Sequence, residues 1–205
     1  MAKNKNKTSM NIYPKPPKRI ILFLMSIFLL YQSIGLVTML FEVGDFHWGM
    51  QILFAFLINL FFTGVFALAG FALPTEKLMP QIYYTIHHPK KLKSWFQKLG
   101  VAAFRNFLLA TVWKKKEMQK GYFNGTVEGF ASFEQKTKKS EFGHLIPLVL
   151  ITVFCFFLIK TKMWVLIGVT MIINIIFNFY PIPLQRHHRM RLQRMKKIME
   201  RKQRK

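Results

Sequence analysis

The sequence is poor in cysteine and in acid: one Cys, Cys155, and 8 Asp plus Glu in 205 residues. A single cysteine excludes an internal disulfide and any zinc cage built from several thiolates. Set inside an apolar block, it reads as a small packing or lipid-facing residue. The six histidines and eight carboxylates are scattered rather than set at ligand spacing, which argues against a diiron or zinc centre. No glycine-rich phosphate loop, His-rich metal box or Ser nucleophile elbow occurs. No metal or cofactor is therefore expected.

What the chain has in excess is apolar surface and positive charge. It is 52% hydrophobic, with 22 Phe and 12 Met, and 31 Lys plus Arg bring the net charge to +23. A soluble domain of this size would have to leave much of that apolar load in water. A bilayer removes the conflict, because the apolar side chains then meet acyl tails. The apolar residues come in long blocks with the basic ones between them, where they meet anionic lipid headgroups rather than nucleic acid.

These blocks predict an all-α, integral membrane bundle of about four transmembrane helices plus an interfacial amphipathic helix. Residues 1–19 form a basic segment with Pro14, Pro16 and Pro17 ahead of the membrane. Residues 20–73 form a two-helix hairpin, with spans over 20–41 and 50–73 joined by a turn holding Glu42, Asp45, His47 and Trp48. The first span is too long for a signal h-region and lacks a small-x-small cleavage site, so it reads as uncleaved. Residues 74–143 form a basic cytoplasmic or interfacial segment. Within it, Leu92, Trp95, Phe96, Leu99, Ala103, Phe104, Phe107 and Leu108 recur at helical spacing, with Lys91, Lys93, Lys98 and Arg105 on the other side. That is a helix lying in the interface plane or packing on the bundle. The polar run 121–139 reads as a loop. Residues 144–184 form a second hairpin, whose first span, 144–159, is short enough to be either crossing or re-entrant. Residues 185–205 are a basic tail.

The positive-inside rule orients the chain. The three basic segments carry six, thirteen and ten Lys or Arg, against none and two in the opposite turns. Both termini are thus expected in the cytoplasm, with the chain in the cell membrane.

Polar groups at the membrane cost free energy, so each asks for a reason. Glu141 and His144, three apart at the cytoplasmic start of the third span, share a helix face. A carboxylate beside an imidazole is the arrangement a general base needs; an ordinary interfacial ion pair is the plain alternative. Asn174 and Asn178 line one stripe of the fourth span. Tyr180, Gln185, Arg186, Arg189 and Arg191 follow, with Pro181 and Pro183 disturbing the helix between them. The amides suit a partner helix or a polar substrate, and the planar guanidiniums suit phosphate or carboxylate. A Pro-kinked helix end with a basic lipid-binding skirt is the alternative. His87 and His88 are followed five residues on by Leu92 and Lys93, so the His-x4-Asp pair of glycerolipid acyltransferases is missing.

The run from Asn178 through Tyr180, Pro181, Pro183, Gln185, Arg186 and Arg189 to Arg191 and Leu192 resembles the C-terminal signature of the glycosyl-4,4'-diaponeurosporenoate acyltransferase family. In that family an Asn is followed seven positions on by Gln-Arg and then by Arg-x-Arg-Leu. Glu141, His144 and Pro147 resemble its second feature, and the likeness covers roughly residues 75–195. It implies an integral membrane enzyme that esterifies a sugar hydroxyl of a glycosylated carotenoid with a fatty acyl group, as in staphyloxanthin-type pigment synthesis. The two clear spans ahead of the likeness depart from the family pattern, which leaves another glycosylated lipid open as acceptor.

Two functional readings result. In the first, a membrane acyltransferase, His144 takes the proton of the acceptor hydroxyl and Glu141 orients it. Asn174, Asn178 or Gln185 then bonds the sugar or the thioester oxygen, and Arg186 with Arg189 holds an anionic part of the donor. Its partners are the anionic bilayer, a fatty acyl donor acting as co-substrate and a glycosylated lipid acceptor. In the second, a non-enzymatic assembly factor or lipid-binding scaffold, the same groups are ion pairs and helix-packing contacts.

Overall fold

The computed structural model describes residues 15–44, 46–111 and 127–203. The basic segment up to Pro14, Asp45, residues 112–126, which include Lys114 to Lys116 and the first part of the run read as loop, and residues 204–205 of the tail lie outside them. In chain order the helices are α1 (Pro16–Val43), α2 (Trp48–Ala72), α3 (Gln81–Tyr84), α4 (Pro89–Lys98), α5 (Val101–Thr111), α6 (Val127–Leu158), α7 (Trp164–Asn174) and α8 (Pro181–Gln203). A π-helical turn, Ile175–Phe179, joins α7 to α8, and no strand occurs among the described residues. Among the described residues, four stretches are long and apolar enough to cross a membrane: Pro16–Val43, Trp48–Ala72, Gly129–Thr161 and Trp164–Met199. The expected all-α membrane architecture is the observed one.

The first hairpin turns at Gly44, whose φ of 76° lies where a side chain would be strained. Its helices are tied by Ser26 Oγ donating to the Val65 carbonyl at 2.8 Å, which satisfies a hydroxyl that would otherwise be stranded in hydrocarbon. Leu36 and Leu40 of α1, Phe54 and Ile58 of α2, Ile151, Phe154 and Cys155 of α6, and Leu166 of α7 form one buried apolar cluster. The opposite faces carry large exposed apolar side chains such as Phe28, Phe56, Phe156 and Phe157, which is the surface a bilayer covers.

Two expectations on the central segment are corrected. Residues 127–139, read as loop, are the first turns of α6, a continuous helix of 32 residues. Their polarity reflects pairing rather than disorder. Glu134 meets Lys138 one turn on at 3.0 Å and Lys196 of α8, and Gln135 donates to Glu76 at 2.5 Å. The third span is therefore not an isolated short segment. Its helix emerges from the apolar layer and runs on beside α8. Pro147 sits inside α6, and Gly143 one turn earlier lies against Ala67 and Phe66 of α2, where a Cβ would stand 3.6 Å from backbone atoms.

The amphipathic helix expected as one piece from Leu92 is two, α4 and α5, broken at Gly100 with φ of 65°. Phe96 and Val101, with Leu92, Leu99, Phe104 and Leu108 around them, pack on Leu184 and Met190 of α8. Trp95 stays 63% exposed and Phe107 57%. The pair thus covers the bundle and keeps aromatic rings facing outward among lysines, the side-chain mix of a water–lipid boundary.

Candidate functional site

Two polar clusters meet along α6, one helical turn apart. The inner cluster is a chain of amides whose sense is set from one end. The Leu148 carbonyl can only accept, and it takes bonds from Thr152 Oγ1 at 2.7 Å and from Asn174 Nδ2 at 3.2 Å. Asn174 must then present its oxygen, which accepts from Asn178 Nδ2 at 2.9 Å. Asn178 in turn presents its own oxygen to His144 Nδ1 at 3.4 Å. An amide oxygen cannot donate, so the shared proton sits on Nδ1, and in the neutral ring Nε2 is left as the basic nitrogen. Thr63 of α2 faces both atoms of the Asn178 amide, at 3.1 and 3.0 Å.

Local sequence explains why Asn178 can do this. Tyr180 N–H bonds back to the Ile175 carbonyl at 3.1 Å, a five-residue step that inserts an extra residue into the turn. Pro181, having no N–H, cannot continue the regular ladder and instead opens α8, a position where proline fits. The same proline offers no donor to the Phe177 carbonyl, which is the second polar neighbour of the His144 ring. Asn174 and Asn178 are both fully buried, whereas His144 is half-buried.

The outer cluster is centred on Glu141, which is 0% exposed. Arg186 Nε donates to its Oε1 at 2.8 Å, Tyr83 Oη donates to the same oxygen at 2.9 Å, and Arg189 Nη2 pairs with Oε2. The guanidinium of Arg186 lies 4.8 Å from the centre of the Tyr83 ring, and that of Arg189 lies 5.1 Å from the centre of the Tyr84 ring. Burial, with the Glu141 charge next in weight, raises both tyrosines above their ordinary value, Tyr84 to about 12. Both stay protonated, so Tyr83 is a donor to the carboxylate at any physiological pH.

The sequence-predicted residues are therefore split between two jobs. Glu141 and His144 share a face of α6, but the expected bond between them is not formed. Both carboxylate oxygens are taken by guanidiniums, which outcompete a neutral imidazole for an anion. Asn178, not Glu141, is the side chain within hydrogen-bond reach of His144. Asn174 is consumed in holding Asn178, and Arg189 is 1% exposed against Glu141, while the side chain of Arg186 is 30% exposed and forms the open edge. Gln185 is buried on the first turn of α8. Arg191 is exposed and outside both clusters, Tyr180 stacks on Phe104 at 5.2 Å, and His87 and His88 are exposed. His187 and His188 lie edge-on to Phe96 and Phe133.

Sequence reasoning missed Tyr83, Tyr84 and Thr63. For Thr63 a signal was present, since a hydroxyl one turn from Asn59 in a largely apolar span raises the same question as Asn174. The tyrosines carry no such mark, because α3 has four residues and no periodicity.

Among known proteins, the model of the glycosyl-4,4'-diaponeurosporenoate acyltransferase family matches residues 80–198, more than half of the chain. No curated protein and no solved structure matches. The matched stretch holds α3 through most of α8, and hence every residue of the two clusters except Thr63.

Proposed function

Because the chain belongs to the glycosyl-4,4'-diaponeurosporenoate acyltransferase family, we propose that it transfers a fatty acyl group to a hydroxyl of a glycosylated lipid or carotenoid at the cytoplasmic face of the cell membrane. The observation that carries this reading is the direction of the amide chain. A proton fixed on Nδ1 leaves His144 Nε2 free to take the hydroxyl proton as the acceptor oxygen attacks the acyl carbonyl. The same nitrogen then returns the proton to the leaving sulfur or oxygen of the donor, so no other acid or base is needed to balance the transfer.

Around this step the other groups act by position. Asn178 holds the ring, and Asn174 and Thr63 hold Asn178. Glu141 aims Arg186 rather than His144, and Arg186 offers its outer N–H groups to negative charge at the mouth of the site. Gln185, the third amide of the sequence reading, is buried near the start of α8. Site and substrates also match in depth, since the acyl chain and the lipid tail can lie in the bilayer while the sugar stays at its surface.

Mass spectrometry of membrane lipids and pigments from cells with and without the chain is the direct test. The expected result is a glycolipid or glycosylated carotenoid heavier by one fatty acyl residue, present only when the chain is made. Unchanged glycolipid masses would remove the proposed reaction.

The charge distribution supports cytoplasmic termini, with α4 and α5 on that side. Cys155 is the sole cysteine and is buried, so a single introduced thiol can be read without background. Lys98→Cys is expected to react with a membrane-impermeant maleimide in inside-out vesicles and not in intact cells. Labelling in intact cells would reverse the orientation.

A further inference from the structure

The outer cluster does not balance its charge. Two guanidiniums, Arg186 and Arg189, face one carboxylate, Glu141. The nearby Glu76 and Glu134 are already engaged by lysines: Glu76 with Lys139 at 3.8 Å, and Glu134 with Lys138 at 3.0 Å and with Lys196. Lys138 also lies 5.3 Å from the centre of the Tyr84 ring, so the surroundings add positive charge. Arg189 is 1% exposed, yet among the described residues its Nε and Nη1 have no acceptor, and the buried Tyr84 hydroxyl has no partner. Buried guanidinium N–H groups without acceptors are costly, and they sit where a second anion would complete the cluster.

We propose that Arg186, Arg189 and Tyr84 form a binding site for a phosphate group, carried by the acyl donor. The assignment of the phosphate to a donor rests on the acyl-transfer reading; the site itself does not. An acyl group reaches such a reaction activated either as a thioester on a phosphopantetheine arm or as an ester in a glycerophospholipid. Both carry phosphate, and the planar fork of arginine matches phosphate oxygens two at a time. The entrance is the exposed edge of Arg186. The cover over Arg189 is α3, only four residues long and held down by its two tyrosines and by Gln81, which accepts from Lys138 Nζ at 2.9 Å. Withdrawal of Tyr84 opens Nε and Nη1 of Arg189 to the ligand. Since His144 stands one turn along α6 from Glu141, a phosphate held there places the head of the donor beside the base.

The test uses the purified full-length chain in detergent and follows its thermal unfolding against four probes. 4'-Phosphopantetheine is compared with pantetheine, which has the same arm without phosphate, and phosphatidylglycerol is compared with diacylglycerol. The expected result is saturable stabilisation by one phosphate-bearing probe and not by its phosphate-free counterpart, and the probe that works identifies the source. Arg186→Gln, whose side chain is partly exposed, should fold and bind that probe about tenfold or more weakly, the scale of one charge-assisted hydrogen bond. Tyr84→Phe, which removes only the hydroxyl, should weaken it less. His144→Ala should bind it as the unaltered chain does. Stabilisation equal in Arg186→Gln and the unaltered chain, or equal with and without phosphate, overturns the site. Acyl transfer retained by His144→Ala would overturn the catalytic reading instead, so the two failures are separable.

Discussion

His144→Ala is expected to lower acyl transfer by about 10²–10⁴-fold, the usual contribution of a positioned general base, while the chain still inserts and folds. The structural cost should be small, because the ring's polar neighbours are only Asn178, at 3.4 Å, and the Phe177 carbonyl, and the ring is part-buried. Asn178 keeps its other bonds, to Asn174 and Thr63, without it. The measurement is initial rate on purified protein with a glycolipid acceptor, together with the unfolding temperature in detergent. Full activity at unchanged stability would remove His144 from the reaction. A parallel loss of activity and unfolding temperature would make it a packing residue instead.

Asn178→Ala separates the base from its support. It removes the acceptor that holds the proton on Nδ1 and leaves Nε2 chemically intact, so part of the rate should survive, unlike that of His144→Ala. Asn178 is fully buried and joins α2 to the π-helical turn, so this change should also cost stability. The two variants therefore differ in pattern, one affecting rate alone and the other both quantities.

The spans were legible in the sequence because a membrane helix needs only an unbroken apolar run, which composition displays directly. The start of α6 was not legible. Residues 127–139 look like a loop until Glu134 is seen against Lys196 of α8, and no local rule supplies a partner 62 residues away. The same limit applies to Glu141. Its shared face with His144 follows from spacing, but its actual partners lie 45 and 48 residues on, where the α8 periodicity brings Arg186 and Arg189 to one side. Asn174 and Asn178 were legible as a stripe because a four-residue step within one helix is a local fact. Thr63, 115 residues from Asn178, contributes from α2, outside the stretch matched by the family. The chemistry of the site was thus readable residue by residue, and its pairing was not.

Glu141 yields the largest expected effect on stability. Glu141→Ala leaves Arg189 at 1% exposure with no counter-charge, and removing one partner of a buried pair costs about 3–5 kcal/mol. A marked drop in unfolding temperature, or loss of the folded protein, is therefore expected, and lost activity in this variant alone would not show a catalytic role. The double change Glu141→Leu with Arg189→Met resolves this. It replaces both buried charges with apolar side chains of similar volume, a change that is often near neutral or stabilising, so folding should recover. Activity should stay low, because Arg189 is then missing from the donor site and Arg186 has lost the carboxylate that fixes its Nε at 2.8 Å, and a partly exposed arginine without an anchor samples many rotamers. Recovery of both stability and turnover would mean that Glu141 serves the fold alone. Recovery of stability without turnover would show that the Glu141–Arg189 pair serves the reaction as well as the fold.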